Sequence, residues 1–256
     1  MLNTDDRQTW ILELVREKGF ASIEHIAGHF DVTQQTIRRV VNQLCEQGVL
    51  RRVHGGVGLP AQGQNLAYES RQAVNIDAKR RIARAAAAFI PDGATLMFGI
   101  GTTPECVAQA LAHRRELHVI TNSLNVAIAF ARNPEVEITF AGGTLRPRDR
   151  DVIGEAAACF FARYRADFGI FGVGGIDDDG ALLDFHAGEV DARLAIAANC
   201  RSALLVADHS KFGRSAVVRG GHLGDVPHFV TDQDVTADAR AMIETRGGTI
   251  HIARAD

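Results

Sequence analysis

From residue 94 to residue 252 the chain repeats one pattern: a short apolar run, a loop of small and polar residues, then an amphipathic stretch. The runs fall at 94–98, 118–121, 137–141, 168–173, 203–207, 228–231 and 249–252, and the helical stretches near 76–89, 104–112, 123–132, 155–164, 188–199 and 236–246. A run apolar at every position suits a strand buried on both faces. Strand alternating with helix implies a parallel sheet covered on both sides, an α/β Rossmann-like domain. Such sheets take their ligands at the carboxyl ends of the strands.

The loops after those strands are therefore the first candidates for chemistry. In Gly99-Ile100-Gly101-Thr102-Thr103-Pro104-Glu105, Gly101 lets the backbone approach a ligand and Thr102 and Thr103 add hydroxyls. A glycine-threonine loop opening a helix suits an anionic phosphate, and it equally suits simple helix capping. Further loops carry Thr121 and Asn122, Gly142 with Arg146 close behind, Asp177 in an acidic turn, Glu189, and Lys211 in Asp208-His209-Ser210-Lys211-Phe212-Gly213-Arg214. Singly, each suits an ordinary turn or a solvated charge. Together, Gly101, Thr102, Thr103, Thr121, Asn122, Gly142 and Lys211, with Asp177 and Glu189 for hydroxyls, describe a pocket for a phosphorylated polyol or sugar.

The first 58 residues follow a different pattern. A helix around Trp10, Ile11, Leu14 and Val15 ends at Lys18-Gly19, and Ser22 caps a short second helix. After a tight break, Thr33 caps a third helix with Ile37, Val40, Val41 and Leu44 in one stripe, stopped by Gly48. Its other face carries Thr33, Gln34, Gln35, Thr36, Arg38, Arg39 and Asn42, side-chain types that reach base edges and phosphates. Two β-prone runs around His54-Gly55-Gly56 read as a hairpin bearing Arg51 and Arg52. This is a winged helix-turn-helix, an α+β unit, whose third helix fits the major groove while Arg51, Arg52 and His54 lie near phosphate or minor groove. The net charge of −3 announces no nucleic-acid partner, but from residue 32 to 58 four arginines face a single acid, Glu46. That is a local phosphate footprint.

The expected organisation is a winged domain at 1–58, a linker at 59–75 and a sensor domain at 76–256. With 256 residues, 46% of them apolar, both domains have the means for their own core. No apolar run approaches the ~20 residues that span a bilayer, so no membrane partner is expected. The polar, acidic start lacks the features of a secretion signal. Cys45, Cys106, Cys159 and Cys200 are far apart, with no C-x-x-C pair. Free thiols in a reducing cytoplasm follow, without metal or cofactor.

The run Val32-Thr33-Gln34-Gln35-Thr36-Ile37-Arg38-Arg39, then Leu44, Gly48, Leu50, Arg52 and His54-Gly55-Gly56, resembles the DNA-binding domain of the DeoR family of bacterial transcription regulators. The resemblance continues through Gly101–Glu105 in Gly-Thr-Thr-Pro-Glu, Thr121-Asn122, Ala141-Gly142-Gly143, Ile153-Gly154-Glu155-Ala156, Gly175-Ile176-Asp177, Glu189-Val190 and Asp208–Arg214. It is nearest to the subgroup of glycerol-3-phosphate regulon repressors. One departure is Val40-Val41, where the family carries an acid and a leucine; Val40 is expected to make the helix stickier, free to touch another subunit. A second is Phe185-His186-Ala187-Gly188-Glu189, which bears on effector identity.

The resemblance implies a sensor related to ribose-phosphate isomerase and glucosamine-phosphate deaminase. It also implies double-stranded operator DNA as partner, a homo-oligomer (dimer or tetramer), and release by a phosphorylated effector, with glycerol 3-phosphate favoured. No catalytic residue is expected on this reading. The main alternative is a sugar-phosphate isomerase-like enzyme with Asp177, Asp184 or Glu189 as base and Lys211 as electrophile. A protein-binding winged helix with a silent sensor is the third.

Overall fold

Residues 4–46, 50–53, 55–58 and 65–254 are described by the structure, a computed structural model. The side chains of residues 4–6, 16, 17 and 46 lie outside that description, as do His54, Gly48 and residues 59–64 of the expected linker. The chain divides into two compact units, Met1–Val74 and Asn75–Asp256.

In the first unit α1 (Thr4–Lys18) leads into a short strand β1 (Phe20–Ser22), then α2 (Ile23–Phe30) and α3 (Gln34–Glu46). The Ser22 hydroxyl accepts the His25 backbone N–H at 3.1 Å, and Asp31 closes α2 in the left-handed conformation (φ 49°). Strands β2 (Arg51–Val53) and β3 (Gly56–Gly58) form the hairpin, and β1 adds to the far side of β3 in the order β1-β3-β2. Strand β1 was not expected, because three residues are too few to display a two-residue period. Gly56 marks where it packs: a Cβ there would stand 2.2 Å from the Ala21 carbonyl oxygen, so only glycine lets β3 lie this close.

Ile11, Val15, Ile26, Ile37, Val41, Leu44, Leu50 and Val57 form the core of this unit. Val40, expected to be free for another subunit, is 6% exposed and packs into the same core. It lies between Ile37 and Leu44 on the buried stripe, so helical geometry assigns it inward. The stretch read as linker contains a short helix, α4 (Tyr68–Ala73), which six residues leave little room to announce.

The second unit opens with α5 (Ile76–Ala87) and then alternates: β4 (Thr95–Phe98), α6 (Thr102–Leu111), β5 (His118–Thr121), α7 (Leu124–Phe130), β6 (Glu137–Phe140), α8 (Glu155–Phe161), β7 (Ala166–Phe171). After β8 (Gly175–Ile176) and β9 (Ala181–Asp184) come α9 (Ala187–Ala198), β10 (Cys200–Val206), β11 (Val218–His222), β12 (His228–Thr231), α10 (Ala237–Glu244) and β13 (Thr249–Ile252). Seven strands form one parallel sheet in the order β13-β12-β10-β7-β4-β5-β6.

Successive residues of a strand point to opposite faces. Leu96 and Phe98 therefore join one core with Ile82, Val107 and Phe130 of α5, α6 and α7. Met97 between them joins the other core, with Phe161, Ile196 and Ile243 of α8, α9 and α10. Both faces are apolar, which is why the strands read as continuous runs. From β4 the chain builds outward through β5 to β6, then returns to the other side of β4 with β7 and builds toward β13. The switch point lies between β4 and β7, where open α/β sheets form their ligand crevice.

Strands β8, β9 and β11 form a separate antiparallel sheet in the order β11-β9-β8. They lay in stretches read as loop, since β8 has two residues and β11 is glycine-rich. Asp177, Asp178 and Asp179 form the turn of the β8–β9 hairpin, closed by the Gly180 N–H donating to the Asp177 carbonyl at 2.9 Å. Among the described residues no helix is long and apolar enough to cross a membrane.

Candidate DNA-binding surface and effector site

Helix α3 starts at a built cap. The Thr33 hydroxyl accepts the Thr36 N–H at 3.2 Å and lies 2.9 Å from the Thr36 hydroxyl. Both threonines thus fix the start of the helix that carries the arginines. Gln34, Gln35, Arg38 and Arg39 are exposed, opposite the buried stripe. Their angular positions on the helix separate them. Gln34 and Arg38, with Asn42, line a cleft of about 500 Å³ shared with Arg52, Gly55 and Gly56. Gln35 and Arg39 lie farther round, at the outer crest.

The hairpin holds Arg51 and Arg52 on successive, opposite-facing positions. Arg52 donates from its guanidinium to Asn42 Oδ1, tying the wing to α3. Arg52, expected near phosphate or minor groove, is thus partly committed to the fold. Asn42, read from the sequence as one of the polar residues on the α3 face, is the residue that holds it.

At the carboxyl edge of the large sheet, α6 begins at Gly101, whose φ of 122° requires glycine and whose helix has no side-chain cap. Helices α7 and α10 are capped by the hydroxyls of Ser123 and Thr236, whereas α5, α8 and α9 share with α6 the lack of a side-chain cap. Thr102 and Thr103 are buried in the first turn of α6. A helix start without a cap leaves N–H groups and the positive dipole end for an anion. On the adjacent strand, the Thr121 hydroxyl donates to the Phe98 carbonyl at 3.0 Å and accepts the Ser123 N–H at 3.1 Å. It holds the strand ends together rather than offering itself to a ligand.

Asn122 is fully buried and donates through Nδ2 to the Val152 carbonyl at 2.7 Å. Its Oδ1 is buried without a hydrogen-bond partner among the described residues. A buried acceptor left unmet costs about 1–3 kcal/mol, so it marks a place for a donor. Gly142 is exposed in the loop after β6. Asp177 is exposed, its carboxylate accepting the Asp178 N–H at 3.1 Å.

Glu189 differs from its expected role as an acid open to ligand hydroxyls. Arg146 donates to Glu189 Oε1 at 2.8 Å and to both oxygens of Asp151 at 2.7 and 2.8 Å. Glu189 Oε2 also accepts the Phe185 N–H at 3.3 Å. Carboxylates this deep need such partners. Burial pushes the Asp151 carboxyl up, and Arg146 opposes it. The two acids in turn hold the Arg146 guanidinium above its ordinary pKa despite burial. Asp184 is taken up likewise, by Arg193 at 3.0 Å and the Gly174 N–H at 2.8 Å. Spacing could not reveal this: Arg146 stood out in its loop, but its second acid lies 43 residues on.

Lys211 ends a single 3-10 turn, His209–Lys211, that follows β10. Asp208 caps the turn, accepting the Ser210 N–H at 3.0 Å. Burial works against the Asp208 charge, yet Lys211, Ser210, Asn75 and Lys79 together hold its carboxyl below the ordinary value. Strand β10 is two strands from β4, so the Gly101 and Lys211 loops follow strand ends that lie about 10 Å apart on either side of β7.

The comparisons agree with both halves. Residues 7–62 match the DeoR-like helix-turn-helix domain, and residues 74–233 match the DeoR C-terminal sensor domain. The glycerol-3-phosphate regulon repressor of Escherichia coli is 46% identical over 88% of this chain and 90% of its own. The transcriptional repressor CsqR of the same organism is 41% identical over 95% and 93%. A ribose 5-phosphate isomerase from Methanocaldococcus jannaschii covers 55% of this chain and 56% of its own at a TM-score of 0.40 and 17% identity. On the two domain matches and the two repressors, this chain belongs to the DeoR family of transcription regulators.

Proposed function

We propose that this protein is a repressor of a polyol or carbohydrate operon, released from its operator by a phosphorylated metabolite, with glycerol 3-phosphate the favoured effector. The observation that carries the effector class is the pairing of an uncapped α6, which follows β4, with the unmet Asn122 Oδ1, which follows the neighbouring strand β5. The helix start suits a phosphate, and the amide oxygen suits a hydroxyl donor on the same small molecule. Gly101, Thr102, Thr103, Asn122 and Lys211 form the proposed effector set; the names of the curated relatives favour the three-carbon polyol phosphate.

Operator binding is assigned to α3 and the wing. Gln34, Gln35, Arg38 and Arg39 read bases or phosphates, and Arg51 and Arg52 flank them. Two copies of this surface reading a pseudo-palindromic site would make the working form a dimer or a larger even assembly. Catalysis is the weaker reading, since Glu189 and Asp184, two of its three candidate bases, are held by Arg146 and Arg193.

Thermal shift with phosphorylated polyols and sugars, each beside its unphosphorylated parent, tests the reading. A ligand at 100 times its Kd adds about 2.7 kcal/mol of stability. Glycerol 3-phosphate is expected to shift the melt and glycerol not. A shift with sugar phosphates alone would reassign the effector, and no shift with any phosphate would leave the α6 loop a plain helix start.

A further inference from the structure

The polar groups at the carboxyl ends of β10 and β12 belong to one connected set that the effector reading does not use. Asn75 is the first residue of the sensor unit, directly after Val74 of the winged unit's segment. It occupies the left-handed region (φ 53°) at the start of α5, and its side chain does not cap that helix. Instead Nδ2 donates across 133 residues to Asp208 Oδ1 at 2.9 Å. Asp208 is 1% exposed and is the residue that caps the turn carrying Lys211.

A second tie runs parallel to the first. Arg81, farther along α5, lies 3.8 Å from Asp232 and donates to the Ala253 carbonyl at 3.2 Å. Asp232 accepts the His209 backbone N–H at 2.8 Å, with His209 Nδ1 also 2.8 Å away. Helix α5 and the residue before it therefore grip the start of the His209–Lys211 turn through two acids, Asp208 as its cap and Asp232 on His209.

We propose that Asn75 is the positioning residue through which effector occupancy reaches the DNA-binding segment: its hydrogen bond to Asp208 joins the first sensor residue to the turn that presents Lys211. This rests on the reading of Lys211 as a phosphate ligand. An anion at Lys211 draws that cation from Asp208, the same carboxylate that holds Asn75. The turn then has two arrangements, and the start of α5 follows whichever is occupied. Effector and operator are coupled only as far as these two arrangements differ in free energy.

The experiment measures glycerol 3-phosphate affinity for the full chain, free and operator-bound, in the wild type and in Asn75→Gly, Lys211→Ala and the double variant Asn75→Asp/Asp208→Asn. Asn75→Gly keeps the positive φ and removes only the amide. It is expected to leave effector affinity of the free protein within about twofold, while the ratio of the two affinities falls toward one from the 5- to 150-fold typical of such coupling. The double variant rebuilds the hydrogen bond in reverse and is expected to regain part of the ratio. An unchanged ratio in Asn75→Gly, with Lys211→Ala weakening the effector, overturns the role of Asn75 alone. Effector affinity indifferent to Lys211→Ala, or no binding by the wild type, overturns the site reading and this proposal with it. Should Asn75→Gly fail to fold, the ratio in Asn75→Ser decides in its place.

Discussion

The winged unit and the sensor unit use arginine in opposite ways. In the winged unit Arg38 and Arg39 stand on an exposed helix face. In the sensor, Arg146 and Arg193 are 23% and 6% exposed, Arg146 held by Asp151 and Glu189 and Arg193 by Asp184. A guanidinium facing water is available to a phosphate or a base edge. One enclosed by carboxylates is part of the fold's own electrostatics. The same residue type, equally conspicuous in the sequence, faces solvent in one half and braces the fold in the other. Arg52 stands between them, exposed yet bonded to Asn42.

The sharpest test of this contrast is Arg146→Met. It leaves Asp151 and Glu189 buried without their cation and is expected to cost about 3–5 kcal/mol in urea unfolding of the sensor. A loss under about 1 kcal/mol would mean that Arg146 behaves like an exposed pair. Arg38→Ala should leave unfolding nearly unchanged and cost about 1–3 kcal/mol of operator binding if the guanidinium reads a guanine. Equal loss on operator and random DNA would make it a phosphate contact. Thr33→Ala removes the α3 cap and is expected to lower the stability of the winged unit by about 0.5–2 kcal/mol without moving the sensor transition.

The smallest effect concerns pH. His251 is held below its ordinary pKa by burial and by His228, whose Nδ1 lies 3.3 Å from His251 Nε2 beneath Phe89. The unfolded imidazole takes a proton more readily than the folded one. Its contribution is present above about pH 6.5 and is lost as the pH falls through the folded value. The sensor's melting temperature should decline from pH 7 toward pH 5, and His251→Phe should flatten that decline. An equally steep decline in the variant would place the titration elsewhere.

How much of this could be read from residues alone depended on range. The parallel sheet was legible because both faces of each strand are apolar, so Leu96, Met97 and Phe98 form an unbroken run. The α3 stripe was legible for the same local reason. Strands β1, β8 and β11 were not, being short or glycine-rich and defined by distant partners. In the site, the glycine at α6 was local and readable. The pairing of Glu189 with Arg146, of Asp208 with Asn75, and of Arg52 with Asn42 joins residues 10 to 133 apart. No periodicity encodes such pairs; only the assembled fold brings them within hydrogen-bond reach.

Helix α3 carries one more consequence. Ile37, Val40, Val41 and Leu44 face the core, and Gln34, Gln35, Arg38 and Arg39 face away, with no residue shared between the two sets. The part of the helix that would choose an operator can thus be rewritten residue by residue while the part that holds the domain together stays as it is. Duplicated copies of such a gene are free to drift toward new binding sites without passing through unfolded intermediates. A scaffold built this way is easy to diversify, by selection or at the bench.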